Sequence, residues 1–143
     1  MKPLIEFIKI NKSFSGKVVL NEINLKVLKG ESLVIIGQSG SGKSVLLKCL
    51  LGVLRPCFGK IIIKDKNFFI QSRQQKEELL KGFGVAFQGN ALFDSLKIWE
   101  NISFKLSQTQ SLSFNNLKEK VEFSLKLVGL SNSIMNLYPS QIS

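Results

Sequence analysis

The chain has 143 residues, of which 44% are hydrophobic and 21% charged, a composition typical of a folded domain and not of a disordered chain. Its formal net charge is +10, but the lysines are spread along the chain and only Arg55 and Arg73 are arginines. Since arginine is the better reader of phosphate groups, the charge alone does not predict nucleic-acid binding. No apolar run approaches the ~20 residues that span a bilayer, so we expect a soluble chain.

The first part of the chain is predicted to form strands. "LIEFIKI" and "INLKV" have the alternation of half-buried strands, and a turn at Ser15 and Gly16 between them predicts antiparallel pairing. The run Leu33–Ile36 in "ESLVIIG" is continuously apolar and ends in a glycine. That pattern predicts a strand buried on both faces of a parallel sheet.

Helices and strands alternate after this run. "KSVLLKCLLGVL" predicts an apolar helix that stops near Arg55 and Pro56, with Cys49 as a small core residue. "GKIIIKDKNFFI" predicts one or two strands with a polar turn at residues 65–67, "SRQQKEELL" a polar helix, and "GFGVAFQ" another short buried strand. Cys49 and Cys57 fit no zinc-binding or redox spacing.

The last third is predicted to be helical. "SLKIWENISFKL" and "NLKEKVEFSLKLVGL" place apolar residues at helical spacing, with Gly129 as the C-cap of the second helix. Asp94 and Ser95 are predicted to cap the first helix. The chain thus places strands first and helices last, around one strand–loop–helix unit.

The loop of that unit matches the pattern G-x-x-x-x-G-K-[ST]. Its positions are Gly37, Gln38, Ser39, Gly40, Ser41, Gly42, Lys43 and Ser44. The glycines let the backbone turn so that its N–H groups point inward around a phosphate. A helix that starts near Gly42 adds unpaired N–H donors and the positive end of its dipole. Lys43 supplies a charge for the β- and γ-phosphates, and Ser44 a hydroxyl ligand for Mg²⁺.

The pattern therefore predicts nucleotide binding, and a glycine-rich turn that fits by chance is the alternative. The context favours nucleotide binding, because a predicted buried strand precedes the loop and an apolar helix follows it. Guanine specificity has no support. "NKSF" at Asn11 lacks the Asp of the guanine-reading motif and stands before the loop.

The chain resembles the nucleotide-binding domain of ABC transporters in four places. Phe14 in "NKSFSGKVVL" matches an aromatic residue of the family, and "EINLKVLKGESLVIIGQSGSGKS" matches its Walker A region. "GVAFQ" resembles the strand that ends in the Q-loop glutamine, here Gln88. "YPSQIS" resembles the run into the signature motif. The resemblance implies an incomplete α/β P-loop NTPase fold of the ABC type. It would contain an N-terminal antiparallel β-subdomain, the P-loop strand–helix unit and the start of a helical subdomain. Residues 1–143 would be the N-terminal part of one ATP-binding domain, with about 1–90 in the ATP-binding core and about 91–143 in the helical subdomain.

The resemblance also implies roles for single residues. Phe14 would stack on adenine, and the backbone of residues 39–44 would hold the phosphates of ATP. Gln88 would contact Mg²⁺ and the attacking water. Gln88 and Lys43 are then the catalytic candidates, and Ser44 and Gln88 the metal ligands. The simpler alternatives are that Phe14 covers the antiparallel sheet and that Gln88 is a polar strand end.

A finer resemblance lies in "GVAFQGNALFDSLKIWENISFKL", above all at residues 90–95. This stretch is similar to the ATPases that energise phospholipid transport across the bacterial envelope, the lipid-asymmetry (Mla/Mkl) type. It implies a transmembrane permease, an MCE-type lipid-binding protein and a second ATP-binding subunit as partners. It also implies a cytoplasmic location, peripheral on the inner face of the membrane. Phe93 and Trp99 would contact the permease or belong to the core.

Family members continue beyond "YPSQIS" with the signature glycines, Walker B and a switch histidine. This chain has no His, and its two Asp, Asp65 and Asp94, do not follow an apolar run. We therefore expect the 143-residue chain to bind ATP weakly or not at all and not to hydrolyse it at a family rate. We also expect poor solubility, because the flank of the Leu33–Ile36 strand is open to pairing with other chains.

Two other functions stay open. The chain could be a non-enzymatic remnant of a split or decayed gene, which folds partly or binds the permease without driving it. It could also be a basic nucleic-acid-binding P-loop protein, for which salt-sensitive DNA binding would be the test. The even spread of the lysines disfavours this last function, so we expect no nucleic-acid partner.

Overall fold

The computed structural model describes residues 2–86, 92–109 and 112–142. The chain divides into two units, Met1–Gly84 and Val85–Ser143, here called the sheet unit and the helical unit. The sheet unit contains β1 (Ile5–Phe14), β2 (Lys17–Val27), α1 (Lys43–Leu50), β3 (Phe58–Ile63), β4 (Lys66–Asn67) and α2 (Arg73–Leu80). The helical unit contains α3 (Ile98–Thr109) and α4 (Phe114–Leu127).

The strands form one antiparallel sheet in the order β2-β1-β3-β4. The predicted hairpin is confirmed, because β1 pairs with β2 and Phe14 lies opposite Lys17. Its two-residue turn has φ of 46° at Ser15 and 82° at Gly16, the left-handed pair that such a hairpin requires. The turn between β3 and β4 lies at Lys64 and Asp65, slightly before its predicted place.

An irregularity in β1 sets which side chains face the core. Phe7 and Ile10 are both buried although strict alternation would put only one of them inside, and the register shifts between them. Lys9 lies between them with φ of 47°. Its N–H donates to Oδ1 of Asn24 at 2.9 Å, and the amide of Asn24 donates to the carbonyl of Glu22 at 2.8 Å. The Asn24 side chain thus replaces the ladder bonds that the bulge interrupts.

The core of the sheet unit lies between one face of the sheet and the helices. α1 contributes Leu46, Cys49 and Leu50, and Cys49 is 0% exposed, which confirms its predicted place in the core. The predicted helix ends earlier than expected, because Gly52 has φ of 73° and ends the helical path. The other buried members are Ile5, Phe7, Ile10, Leu20, Ile61, Ile63, Phe68 and Leu79.

Two predicted strands are wrong. Residues 33–36 and 83–86 have no strand assignment, and Val34 and Ile36 are 78% and 90% exposed. A strand needs a neighbour for its N–H and C=O groups, and no described segment pairs with either run. Their apolar character indicates a buried environment, but it does not supply the neighbouring strand. The last residues of "GVAFQ", Phe87 and Gln88, lie outside the described residues.

The helical unit has its own small core. Val121, Leu125 and Met135 are buried, and Trp99, Ile102 and Ile134 pack against them, which favours the core alternative for Trp99. Gly129 follows α4 with φ of 73°, as predicted for a C-cap. Within the described ranges, no helix combines the length and the apolar character needed to cross a membrane.

The predicted caps of α3 are wrong. The helix begins at Ile98, so Asp94 and Ser95 lie too far before it to cap it. Instead, the N–H of Lys97 donates to Oε2 of Glu100 at 2.7 Å. Asn101 accepts at 2.8 Å from the N–H of the residue at position 93. Side chains inside the helix therefore satisfy the groups that precede it.

Candidate nucleotide-binding site

The loop between β2 and α1 bends at its glycines. Gly40 and Gly42 have φ of 80° and 94°, in the left-handed region that other residues avoid. The N–H of Ser41 donates to the carbonyl of Gln38 at 3.2 Å, which closes a tight turn in the middle of the loop. Gly42 is the N-cap residue of α1. The predicted loop–helix junction is therefore present in the structure.

Gly42 also lies close to β2. A Cβ atom there would be 2.9 Å from the carbonyl oxygen of Val19 and 3.0 Å from Cδ2 of Leu20. Gly37 is restricted in a similar way, because its Cβ would be 2.8 Å from Oγ of Ser41. The hairpin strand thus supports the end of the loop, and only glycine fits at this contact.

The start of α1 lacks the side-chain cap found at the starts of α2 and α4. The hydroxyls of Ser72 and Ser113 cap α2 and α4, each accepting at 3.3 Å from a first-turn N–H. Gly42 has no side chain to do this, and the first turn of α1 contains no acidic residue. The first N–H groups of α1 therefore remain available to an external anion, which the helix dipole also favours.

Lys43 reaches back over the loop. Its ammonium donates to the carbonyl oxygens of Gly37 at 2.6 Å and Gln38 at 2.7 Å, and lies 3.4 Å from Oγ of Ser41. The positive charge is thus held inside the bend of the loop, beside the start of α1. An anion bound there would meet the lysine and the backbone N–H groups together, which fits a triphosphate.

Ser44 lies in the first turn of α1, so its hydroxyl can reach a ligand held by the loop. Ser39 at the tip of the loop is exposed. The described residues contain no cluster of three or more His, Cys, Asp or Glu side chains. One hydroxyl nevertheless fits Mg²⁺, because this ion keeps several waters and binds through the phosphates of its nucleotide.

Of the two remaining predicted site residues, the structure describes Phe14 but not Gln88. Phe14 ends β1 in the hairpin that supports Gly42, and its side chain is 42% exposed. Gln88 lies outside the described residues. The hairpin therefore links the predicted adenine contact to the phosphate loop through β2.

The loop borders an apolar cleft of about 450 Å³ between β2, α1 and residues 33–37. Its lining residues are Leu20, Ile23, Asn24, Leu25, Leu33, Val34, Ile35, Ile36, Gly37, Ser41, Gly42, Lys43 and Leu46. None of these lining residues is an acid, so the described part of the chain places no carboxylate in the lining of this cleft to polarise a water.

Sequence reasoning missed Lys12. Its ammonium lies 5.1 Å from the centroid of the Phe14 ring and donates to the carbonyl of Arg55 at 2.7 Å. The signal was present, because residues two apart on a strand share a face. The contact with Arg55 has no such signal, since 43 positions separate the two residues.

A glycine-bent loop that ends in Lys-Ser at the start of a helix, on a unit that packs helices on a sheet, defines the P-loop class of α/β proteins. The family model described as "ABC transporter" matches residues 20–143. The chain therefore belongs to the ABC transporter family. The predicted family is confirmed at this level.

Curated relatives agree with this family. The chain is 37% identical over 142 residues to the protein TRIGALACTOSYLDIACYLGLYCEROL 3, chloroplastic, of Arabidopsis thaliana, covering 98% of this chain and 40% of that protein. It is 34% identical over 140 residues to the methionine import ATP-binding protein MetN of Legionella pneumophila (strain Lens), covering 98% and 40%. It is 35% identical over 139 residues to the probable ribonucleotide transport ATP-binding protein Mkl of Mycobacterium leprae (strain TN), covering 97% and 40%. The chain thus spans about 40% of the length of these relatives.

Solved structures agree with the fold. CbiO1 from Clostridium perfringens, part of the ABC transporter complex CbiONQ, has a TM-score of 0.82 at 26% identity, covering 100% of this chain and 57% of that one. A bacterial ABC transporter cassette solved as a dimer has a TM-score of 0.86 at 25% identity, covering 97% and 63%. The predicted fold class, an α/β ABC-type fold with an N-terminal antiparallel sheet, is therefore confirmed.

Proposed function

We propose that this chain is the ATP-binding part of an ABC transporter ATPase and that residues 37–44 grip the triphosphate of ATP. The observation that carries the proposal is the uncapped start of α1 beside the ammonium of Lys43. Both features favour a bound anion, and both lie where the hairpin supports the loop. Phe14 then takes the adenine ring, to which its exposed aromatic face is suited.

In this function the two predicted parts of the ATP-binding domain have different tasks. About residues 1–90 contribute to the ATP-binding core, and about 91–143 belong to the helical subdomain. A transmembrane permease and a second ATP-binding subunit are the partners of the whole protein, which works at the inner face of the cytoplasmic membrane. The family relationship supports these partners, since the two solved relatives are part of a transporter complex and a dimeric cassette.

Hydrolysis would need more than the phosphate loop. Mg²⁺ would neutralise charge on the phosphates, with the Ser44 hydroxyl in the first turn of α1 and the side chain of Gln88 as its protein ligands. Lys43 would hold the β- and γ-phosphates in place, and Gln88 would orient the attacking water. Positioning and charge stabilisation of this kind are the main catalytic terms in phosphoryl transfer.

The transported substrate is proposed to be a phospholipid, with an MCE-type lipid-binding protein as a further partner. The support for a phospholipid is the sequence of residues 84–106, above all residues 90–95. One relative is named for a trigalactosyl diacylglycerol, a lipid without phosphate, which supports a lipid substrate in general. Other relatives are named for methionine, ribonucleotide and sulfate transport. In a complex reconstituted from the whole protein and its permease, phospholipid vesicles should therefore stimulate ATP hydrolysis, whereas methionine and sulfate should not. Stimulation by methionine or sulfate would refute the phospholipid assignment.

Nucleotide binding, which we expect to be weak in the 143-residue chain, is tested by calorimetric titration of the chain with MgATP. Lys43→Ala should lower the affinity at least tenfold, because a hydrogen bond to a charged group contributes about 1.5–3 kcal/mol. Lys60→Met, which removes one charge from an exposed site on β3, is the matched control and should bind like the wild type. Equal binding by Lys43→Ala and the wild type would refute the proposed role of the loop.

A further inference from the structure

The ring proposed to bind adenine is held from one side by a lysine. Lys12 and Phe14 lie two residues apart on β1, and the ammonium of Lys12 is 5.1 Å from the centroid of the ring. That distance is within the range of a cation–π contact. The lysine covers part of one face, and the side chain of Phe14 is still 42% exposed. A planar base therefore has exposed ring surface on which to stack.

The same ammonium is tied to the connection between α1 and β3. It donates to the carbonyl of Arg55 at 2.7 Å. Two backbone hydrogen bonds flank this contact: Cys57 donates to Asn11 at 2.8 Å, and Leu54 to Lys48 at 3.1 Å. A continuous set of contacts thus leads from the Phe14 ring to the end of the helix that starts at the phosphate loop.

We propose that Lys12 is a positioning residue for the nucleotide base. It holds the Phe14 ring in one orientation and sets the place of that ring relative to α1, so that base and triphosphate are bound at a fixed separation. The inference rests on the proposed function, in which Phe14 takes the adenine. An exposed aromatic side chain without such a contact would lose more rotamer freedom when the base binds. The affinity of the site for the nucleotide would therefore be lower.

The experiment compares MgATP with magnesium tripolyphosphate, which has no base, by calorimetric titration of the full chain. Lys12→Met keeps the length of the side chain and removes its charge. ATP should bind roughly threefold to tenfold more weakly to this variant, while tripolyphosphate binds as before. Lys12→Arg should keep most of the preference for ATP, because it retains a cation. Lys60→Met is again the matched control, and should leave both affinities unchanged.

The ratio of the affinities for ATP and tripolyphosphate does not depend on the fraction of folded chain. A partly unfolded variant therefore still tests the role of Lys12. Equal losses for ATP and tripolyphosphate in Lys12→Met would overturn the role of Lys12, because they would indicate a general charge effect. In a Phe14→Ala background, Lys12→Met should have no further effect, and an additive loss would also overturn it. Tripolyphosphate binding without any preference for ATP in the wild type would refute a base-positioning role alone. Failure of both ligands to bind would refute the proposed function and this inference with it.

Discussion

Gly42 illustrates how much of this site depends on single residues. Two separate constraints act on it: a φ of 94°, and a space in which a Cβ would lie 2.9 Å from the carbonyl of Val19. Gly30 has a similar φ of 79°, but a Cβ at that position would meet no other atom within 4 Å. Comparing substitutions at these two glycines therefore distinguishes the cost of backbone strain from the cost of steric overlap.

Gly42→Ala should destabilise the chain more than Gly30→Ala. Both variants force alanine into the left-handed region, which costs about 1–2 kcal/mol. Only Gly42→Ala adds the overlap with β2, worth about 1–3 kcal/mol more. Chemical unfolding followed by circular dichroism measures the difference, and an equal loss in the two variants would mean that the loop does not press against β2.

At the scale of elements, those that depend on local sequence pattern were predicted correctly, whereas those that depend on pairing with distant segments were not. The β1–β2 hairpin forms as predicted because its turn residues and alternation are local properties of the chain. Residues 33–36 do not form the predicted strand, since their pairing depends on a neighbour that no described segment provides. The bulge at Lys9 was not predicted either, because Asn24, which holds it, is 15 positions away.

The exposed run at 33–36 should promote self-association of the chain. Val34 and Ile36 are 78% and 90% exposed, and an unpaired apolar edge binds other edges. The double variant Val34→Lys, Ile36→Lys should therefore sediment with a smaller aggregated fraction at an unchanged unfolding midpoint. Ile61→Lys, at a site that is 0% exposed, is the contrasting control and should unfold the sheet unit. Unchanged aggregation in the double variant would exclude residues 33–36 as the surface through which the chains associate.

At the scale of the whole molecule, the described residues offer groups that suit the binding of phosphates more than the activation of a water. The loop and α1 offer donors and a cation to phosphates, but none of the described residues that line the cleft beside them is an acid. Asp65, one of only two aspartates, lies in the β3–β4 turn, 3.4 Å from the ammonium of Lys2. We therefore expect this chain to bind ATP without hydrolysing it.

The 143-residue chain should not turn over ATP faster than its Lys43→Ala variant. The physical reason is that no described carboxylate is placed to polarise the attacking water. A steady-state assay of phosphate release measures both chains side by side. Robust turnover that the Lys43→Ala change abolishes would contradict the prediction and would require a carboxylate that acts near the loop.

The sequence by itself determined the features whose physics is local: the hairpin turn at Ser15 and Gly16, the helix that starts at Lys43, and the bend of the loop at its left-handed glycines. Only the tertiary structure decided the features that join distant positions. It placed the ammonium of Lys12 between Phe14 and Arg55, and it left the apolar run before the loop without a partner among the described segments. Turn and helix preferences act over a few residues, whereas strand pairing and side-chain contacts depend on where the rest of the chain folds.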